Sequence, residues 1–236
     1  MKIISNFAMI LSAGFGRRML PLTKKIPKPL IQINGQPNIF YIINKLKLVG
    51  VENIVINTHY LSNKIFNALK DFDSKIKIIY EKKILDTGGG VKNAIQIGAI
   101  PKNDIFFVIN SDIFWSEKKS IFIDLSDNWN KKKMDILLTL KLKEQLVGYN
   151  GAGDFCFKKG YNGQLTKNCR NKELVFSGIQ IINSQILNQY NMESFSLSEV
   201  FQSILKTKRL YGFISDNEWY HVGTPDVLEK LNERLK

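Results

Sequence analysis

Histidine and cysteine are scarce in this chain, two of each among 236 residues. The cysteines, Cys156 and Cys169, stand too far apart for a CxxC redox or zinc pair and neither has a histidine beside it, so both read as reduced thiols. His59 reads as a structural residue at a strand end. No apolar run comes near the roughly 18 residues that cross a bilayer. Met1 to Ala13 contains a lysine and apolar residues, but Ser5 and Asn6 interrupt it and Gly14 to Arg18 follow at once, so it reads as a first strand rather than a leader. A cytoplasmic protein with no membrane partner is expected. Acidic residues are also few, 21 against 34 Lys and Arg, for a formal net charge of +13. Such charge suits a polyanionic partner, but the basic residues are scattered, with Lys131 to Lys133 the only run of three, and no aromatic–basic recognition motif or zinc module accompanies them. A composition rich in Ile, Lys and Asn raises the charge without any binding role, so no specific nucleic-acid partner is expected. No coiled-coil pattern is present from which an oligomeric state could be read.

What the chain does have is material for a core, with 44% hydrophobic and 23% charged residues, an ordinary globular balance. From the N-terminus to Leu140, apolar runs of strand length alternate with segments of helical spacing. Strands are predicted at Phe7 to Ser12, Asn53 to Asn57, Lys75 to Glu81, Ile105 to Ile109 and Asp135 to Leu140. Between them Ile39, Ile42, Ile43, Leu46 and Val49, and then Ile65, Leu69 and Phe72, recur at helical intervals. Alternation of this kind builds βαβ units, so the fold class is α/β: a doubly wound, mostly parallel, Rossmann-like sheet. From Gly148 the pattern shortens to small strands and polar turns, Lys158 to Gly163 among them, before the long apolar run Leu174 to Asn183, which makes this half mixed. One domain over residues 1–236 is expected, with halves meeting at about 147/148. Ser196 and Glu199 form a capping box ahead of Leu197, Val200, Phe201, Ile204 and Leu205. Thr224-Pro-Asp226 opens a last helix with Thr224 as N-cap and Pro225 at N1.

The segment Leu11-Ser-Ala-Gly-Phe-Gly-Arg-Arg18 leaves the first strand, and Gly14 and Gly16 let backbone N–H groups approach a phosphate. Its spacing matches neither the Rossmann nor the Walker A pattern, and alone it is also what a tight turn looks like. Pro21-Leu-Thr and Pro27-Lys-Pro-Leu30 follow closely, and the two prolines around Lys28 are expected to hold its backbone extended and fix where the ammonium points. The whole string LSAGFGRRMLPLTKKIPKPL resembles the signature of the sugar-phosphate nucleotidyltransferase family. Asp86-Thr-Gly-Gly-Gly90, Asn110-Ser-Asp112, Gly151-Ala-Gly-Asp-Phe155 and Phe176-Ser-Gly-Ile179 extend the resemblance over essentially the whole chain. It implies a nucleotide-binding first half and a sugar-binding second half. Arg18 and Lys28 would bind the triphosphate, with Leu11, Ala13, Gly14, Gly16, Thr87, Gly88 and Gly89 around the nucleotide and Glu81 near the base. Asn110, Asp154, Ser177 and Gly178 would lie toward the sugar.

Ile105 to Asp112 reads as a buried strand that delivers Asn110 and Asp112 at its carboxyl end, where ligands bind in open α/β sheets. An aspartate there either caps the next turn or, beside a phosphate loop, holds Mg²⁺. The resemblance implies the second role, with Arg18, Lys28 and Asp112 as the catalytic set. It also implies a second metal-ligating aspartate in a Trp-x-Asp-x-Gly-Thr pattern, but in Trp219-Tyr-His-Val-Gly-Thr224 the position is His221. Imidazole suits Mn²⁺ better than the hard Mg²⁺ ion. Three outcomes are therefore open: a metal held by Asp112 and phosphates alone, an altered metal preference, or impaired catalysis. His221 as a plain hydrogen-bonding residue is open as well. The implied reaction joins a nucleoside triphosphate to a sugar 1-phosphate, giving a nucleotide sugar and pyrophosphate, with UTP and N-acetylmuramate 1-phosphate or a related hexose 1-phosphate as first choice. Guanylyl transfer to mannose 1-phosphate is the alternative, and a catalytically lapsed nucleotide- or sugar-binding regulator is the reading from another class.

Overall fold

The computed structural model describes residues 3–72, 75–146, 149 and 151–236. In chain order its main elements are β1 (Phe7–Leu11), α1 (Asn38–Leu48), β2 (Asn53–Thr58), α2 (Ser62–Leu69), β3 (Ile76–Tyr80), α3 (Asp86–Gln96), β4 (Ile105–Asn110) and β5 (Ile113–Ser116). After these come α4 (Ile121–Asn128), β6 (Ile136–Leu142), β7 (Leu174–Asn183), α5 (Leu197–Lys206), β8 (Leu210–Ile214), β9 (Glu218–His221) and α6 (Pro225–Arg234). Seven of the strands form one sheet in the order β8-β6-β7-β4-β1-β2-β3. Every neighbouring pair is parallel except those made by β7, which runs antiparallel to both β4 and β6. The α/β, doubly wound, mostly parallel sheet expected from the sequence is the fold observed. Off the sheet, β5 and β9 pair as an antiparallel ribbon that sets Ile113 opposite His221.

Successive side chains of each strand point to opposite faces, and both faces of the sheet are covered, so the central strands are apolar at consecutive positions. Ala8 and Ile10 of β1 point to the side packed by Ile42 of α1, Ile65 of α2 and Phe122 of α4. Met9 and Leu11 point the other way, onto Val91 of α3 and Val200 of α5. Ile39, Ile42, Ile43 and Leu46 are fully buried along one face of α1, and each such side chain contributes roughly 1.5–3 kcal/mol of burial. A third cluster, with Met19, Ile31, Phe114, Tyr220 and Leu231, attaches the ribbon and α6 to the loop after β1. Among the described residues no helix is long and apolar enough to cross a membrane.

Several expectations change in detail. β2 and β6 run on to Thr58 and Leu142 because their ladders continue, Thr58 beside Tyr80 and Leu142 beside Leu174. Phe72 lies beyond the end of α2 and packs its ring 5.0 Å from that of Phe40. The capping box forms as read, with Glu199 N–H donating to Ser196 Oγ and Ser196 N–H to Glu199 Oε1. Thr224 does stand at the N-cap of α6, but its hydroxyl accepts no capping bond. The two cysteines are not free thiols: a hairpin of the two-residue strands Cys156–Phe157 and Leu165–Thr166 brings Cys156 and Cys169 into a disulfide, Cα atoms 6.7 Å apart. A spacing rule for CxxC pairs has no view of cysteines joined through a folded hairpin. The boundary expected between the two halves, at Val147 and Gly148, lies outside the described residues.

Candidate active site

β1 delivers the chain to the carboxyl edge of the sheet at Leu11, and the glycine-rich loop begins there. Gly16 has a left-handed φ of +65°, and a Cβ on it would lie 3.0 Å from Thr23 Cγ2 and 3.2 Å from Lys28 Cβ. Glycine is thus what lets this loop close onto the segment carrying Lys28. The closure is pinned by the Thr23 hydroxyl donating to Gly16 O at 2.9 Å, and by the Tyr60 hydroxyl donating to Thr23 O at 2.9 Å. Arg17–Met19 form one 3₁₀ turn that buries Met19 and leaves both arginines exposed. The backbone at Lys28 is not extended as expected. Pro27 is extended, but Lys28–Leu30 make a 3₁₀ turn, with Leu30 N–H donating to Pro27 O at 2.9 Å. The prolines still restrict the chain, and the turn that Pro27 leads into and Pro29 lies within aims the ammonium across the cavity.

What it meets is Asp112, just past β4. Lys28 Nζ lies 2.7 Å from Asp112 Oδ2, and His221 Nε2 lies 3.2 Å from the same oxygen. The carboxylate is held in place by its backbone. Asn38, the first residue of α1, donates from Nδ2 to Ser111 O and Ile113 O, both at 2.9 Å, on either side of Asp112. Val222 N–H donates to Asp112 O at 2.9 Å, which ties β9 to the same turn. Burial alone would raise the Asp112 carboxyl; the His221 hydrogen bond and the Lys28 ammonium outweigh it and hold the group well below the usual carboxylate range. Asp112 is therefore ionised whenever the protein is folded near neutral pH.

A cavity of about 360 Å³ opens above these residues. Leu11, Ala13, Gly14 and Gly16 line it from the loop, Arg18 and Lys28 supply cations, and Thr87, Asn110 and Asp112 close the other side. These nine were all expected at the site. His221 is behind Asp112, its ring stacked 6.2 Å from Trp219. Arg17, Asn57 and Asp86 also line the cavity and were missed. Asn57 had a readable signal, since it ends a strand at the same carboxyl edge as Asp112.

Glu81, Gly88 and Gly89 are not at the cavity wall. Glu81 is 2% exposed and accepts from Asn57 Nδ2 at 2.7 Å and from Leu85 N–H at 3.3 Å. Asn57 Oδ1 in turn accepts from Ser12 N–H at 2.9 Å, so Glu81 reaches the glycine-rich loop through Asn57. Gly88 and Gly89 lie inside α3, and both N–H groups donate to Phe195 O, at 2.9 and 3.0 Å. A Cβ on Gly89 would stand 2.4 Å from Glu193 O, so these glycines admit the chain ahead of α5 against the helix. Of the residues expected toward the sugar, only Asn110 reaches the cavity. Asp154 Oδ2 accepts Phe176 N–H at 2.9 Å. Ser177 is buried, bonded to Thr139, and its carbonyl accepts Trp219 Nε1–H at 2.6 Å. Gly178, at φ +87°, leaves room for Asn110, whose Cβ would be 3.2 Å from a side chain there.

What the cavity can do follows from its charge: cations and a glycine-rich backbone at the carboxyl edge of a parallel sheet hold phosphate groups, which makes this a nucleotide-binding α/β enzyme. The chain belongs to the nucleotidyl transferase family, whose model matches residues 7–149, and within it to the sugar-1-phosphate nucleotidyltransferases. It is 29% identical over 238 residues to N-acetylmuramate alpha-1-phosphate uridylyltransferase of Caulobacter vibrioides, covering 98% of this chain and 97% of that one. It is 30% identical over 232 residues to mannose-1-phosphate guanyltransferase of Aspergillus oryzae, covering 92% of this chain but only 61% of the relative. The chain thus spans about three fifths of that guanyltransferase's length. The crystal structure of HddC from Yersinia pseudotuberculosis complexed with GMP-PN superposes with a TM-score of 0.75 at 25% identity, covering 98% of this chain and 99% of that one.

Enzymes of this family generally use a divalent metal ion. The residues here fit one poorly as a site built by protein alone. Mg²⁺ takes oxygen ligands in near-octahedral geometry, whereas Asp112 offers one carboxylate, already bonded by Lys28 and His221.

Proposed function

We propose that this enzyme transfers a uridylyl group from UTP to N-acetylmuramate 1-phosphate or a related hexose 1-phosphate, in the cytoplasm where its triphosphate is held. One observation carries the choice of nucleotide and sugar: the match to the Caulobacter uridylyltransferase runs end to end on both chains. Guanylyl transfer to mannose 1-phosphate is the second reading, favoured by the guanyltransferase similarity and by the nucleotide named with HddC.

An oxygen of the sugar 1-phosphate attacks the α-phosphorus; the new P–O bond forms as the bond to the β-phosphate oxygen breaks, and pyrophosphate leaves. The attacking phosphate has a second pKa of about 6 and is largely dianionic at neutral pH, so it needs no strong base. What the protein adds is position and countercharge. Lys28, steadied by Asp112, faces the α-phosphate region, and Arg18 meets the departing pyrophosphate. Asn57 and Gly16 shape the loop under the phosphates, and Asn110, in the room left by Gly178, borders the acceptor side. The test is pyrophosphate release from each of the four ribonucleoside triphosphates and dTTP against a panel of sugar 1-phosphates. Release with UTP and N-acetylmuramate 1-phosphate supports the first reading; preference for GTP and mannose 1-phosphate replaces it with the second.

A further inference from the structure

Asp112 meets two neighbours through one oxygen. Lys28 Nζ donates to Oδ2 at 2.7 Å and His221 Nε2 is 3.2 Å from the same atom. Both contacts fall on the same oxygen, so the one carboxylate that could anchor a metal here is already engaged by an ammonium and a ring nitrogen. Imidazole is in any case a weak match for a hard, oxygen-seeking ion. Asp86, the other carboxylate lining the cavity, accepts Thr87 N–H. Among the described residues no group of three His, Cys, Asp or Glu side chains could hold a metal ion.

We infer that the protein carries no preformed metal site, and that a divalent ion enters its cavity only as a complex with the nucleoside triphosphate, whose phosphate oxygens supply the ligands the protein does not. In the bare protein Lys28 and His221 engage Asp112 in place of a metal. The inference rests on the nucleotide-transfer reading above and deepens it. The residue that sets the behaviour is His221. An aspartate at that position would face Asp112 across the same gap, giving two carboxylates against one lysine, which attracts a cation.

Equilibrium dialysis of Mn²⁺, with the free ion read by electron paramagnetic resonance, tests this without turnover. The arms are wild-type protein alone, wild type with α,β-methylene UTP or GTP, and His221→Asp alone. Wild type alone should retain no Mn²⁺, an analogue should bring the ion in with it, and His221→Asp should retain Mn²⁺ unaided. One Mn²⁺ per chain on the bare wild type, lost in Asp112→Asn, would overturn the inference. So would analogue binding without the ion, or a folded His221→Asp no better than wild type. If circular dichroism shows His221→Asp unfolded, the wild-type arms decide alone. Calorimetry of the analogues separates the two levels: binding of neither analogue, with or without Mn²⁺, removes the nucleotide reading and the inference with it, whereas analogue binding beside a metal-loaded bare protein removes the inference alone.

Discussion

Lys28 and Arg18 do different work although both are cations of one loop. Lys28 is 12% exposed and bonded to Asp112, while Arg18 is exposed and makes no hydrogen bond or ion pair among the described residues. In the proposed reaction both meet charge on the phosphates. By analogy with removing one preorganised donor, Arg18→Ala and Lys28→Ala should each slow turnover about 10²- to 10³-fold while the far-ultraviolet circular dichroism stays that of wild type. Normal turnover in either variant would remove that residue from the mechanism. Glu81 acts one layer further back. Burial raises its carboxyl above the ordinary 4.5, against the lowering effect of the Asn57 and Leu85 hydrogen bonds. With a raised folded value, the folded state holds a proton that the unfolded chain has released. The stability this lends is full below pH 4.5 and is lost as pH rises through the folded value. Wild type should therefore gain stability relative to Glu81→Gln, which cannot titrate there, as pH falls from neutral toward 4.5. Unfolding midpoints of the two proteins across that range check it, and a constant difference would mean folding leaves the proton affinity of Glu81 unchanged. Lys28 and Asp112 were legible because motif and strand end both mark them. Asn38 was not, because it acts by hydrogen bonds to distant backbone that no local pattern announces; Asn57 carried the strand-end signal, but its partners Ser12 and Glu81 are set only by the fold.

At the scale of elements, α3 shows how a motif can be read correctly and placed wrongly. Gly88 and Gly89 sit beside the cavity in sequence, next to Asp86 and Thr87, but they serve contact with residues 193–195, while Gly90 makes room for Asn57 and Glu81. Gly89→Ala would set a methyl 2.4 Å from Glu193 O, a backbone atom that cannot step aside cheaply. Overpacking of this kind costs about 1–3 kcal/mol, and the urea midpoint should fall accordingly. Gly14→Ala, where a Cβ would meet nothing within 4 Å, should leave the midpoint near that of wild type. Equal midpoints for the two variants would mean the 193–195 segment yields freely. Strand positions and the capping box of α5 were legible because periodicity and capping depend on neighbours in sequence. The 3₁₀ turn at Lys28 was not, since proline restricts a backbone without choosing between an extended and a turning path.

For the whole molecule, the disulfide joins parts of the second half that sequence spacing keeps apart. It closes a loop with a sequence separation of 13, and the chain-entropy account gives about 3 kcal/mol for a loop of that size. Reductant should lower the stability of wild type by about 2–3 kcal/mol and leave a Cys156→Ser, Cys169→Ser double variant unmoved, as read by denaturant unfolding. A wild type indifferent to reductant would show that the bridge contributes nothing.

The sequence by itself determined the class of fold, the glycine-rich loop, its two cations and Asp112, because alternating hydrophobicity and a glycine–proline signature are local properties of the chain. Only the tertiary structure decided which flagged residues reach the cavity, that Asn38 and Asn57 position those that do, that Cys156 and Cys169 are joined, and that Lys28 and His221 share one oxygen of Asp112. These are contacts between residues far apart in sequence. Their geometry exists only once the sheet has set its strand order and brought the loops to one edge.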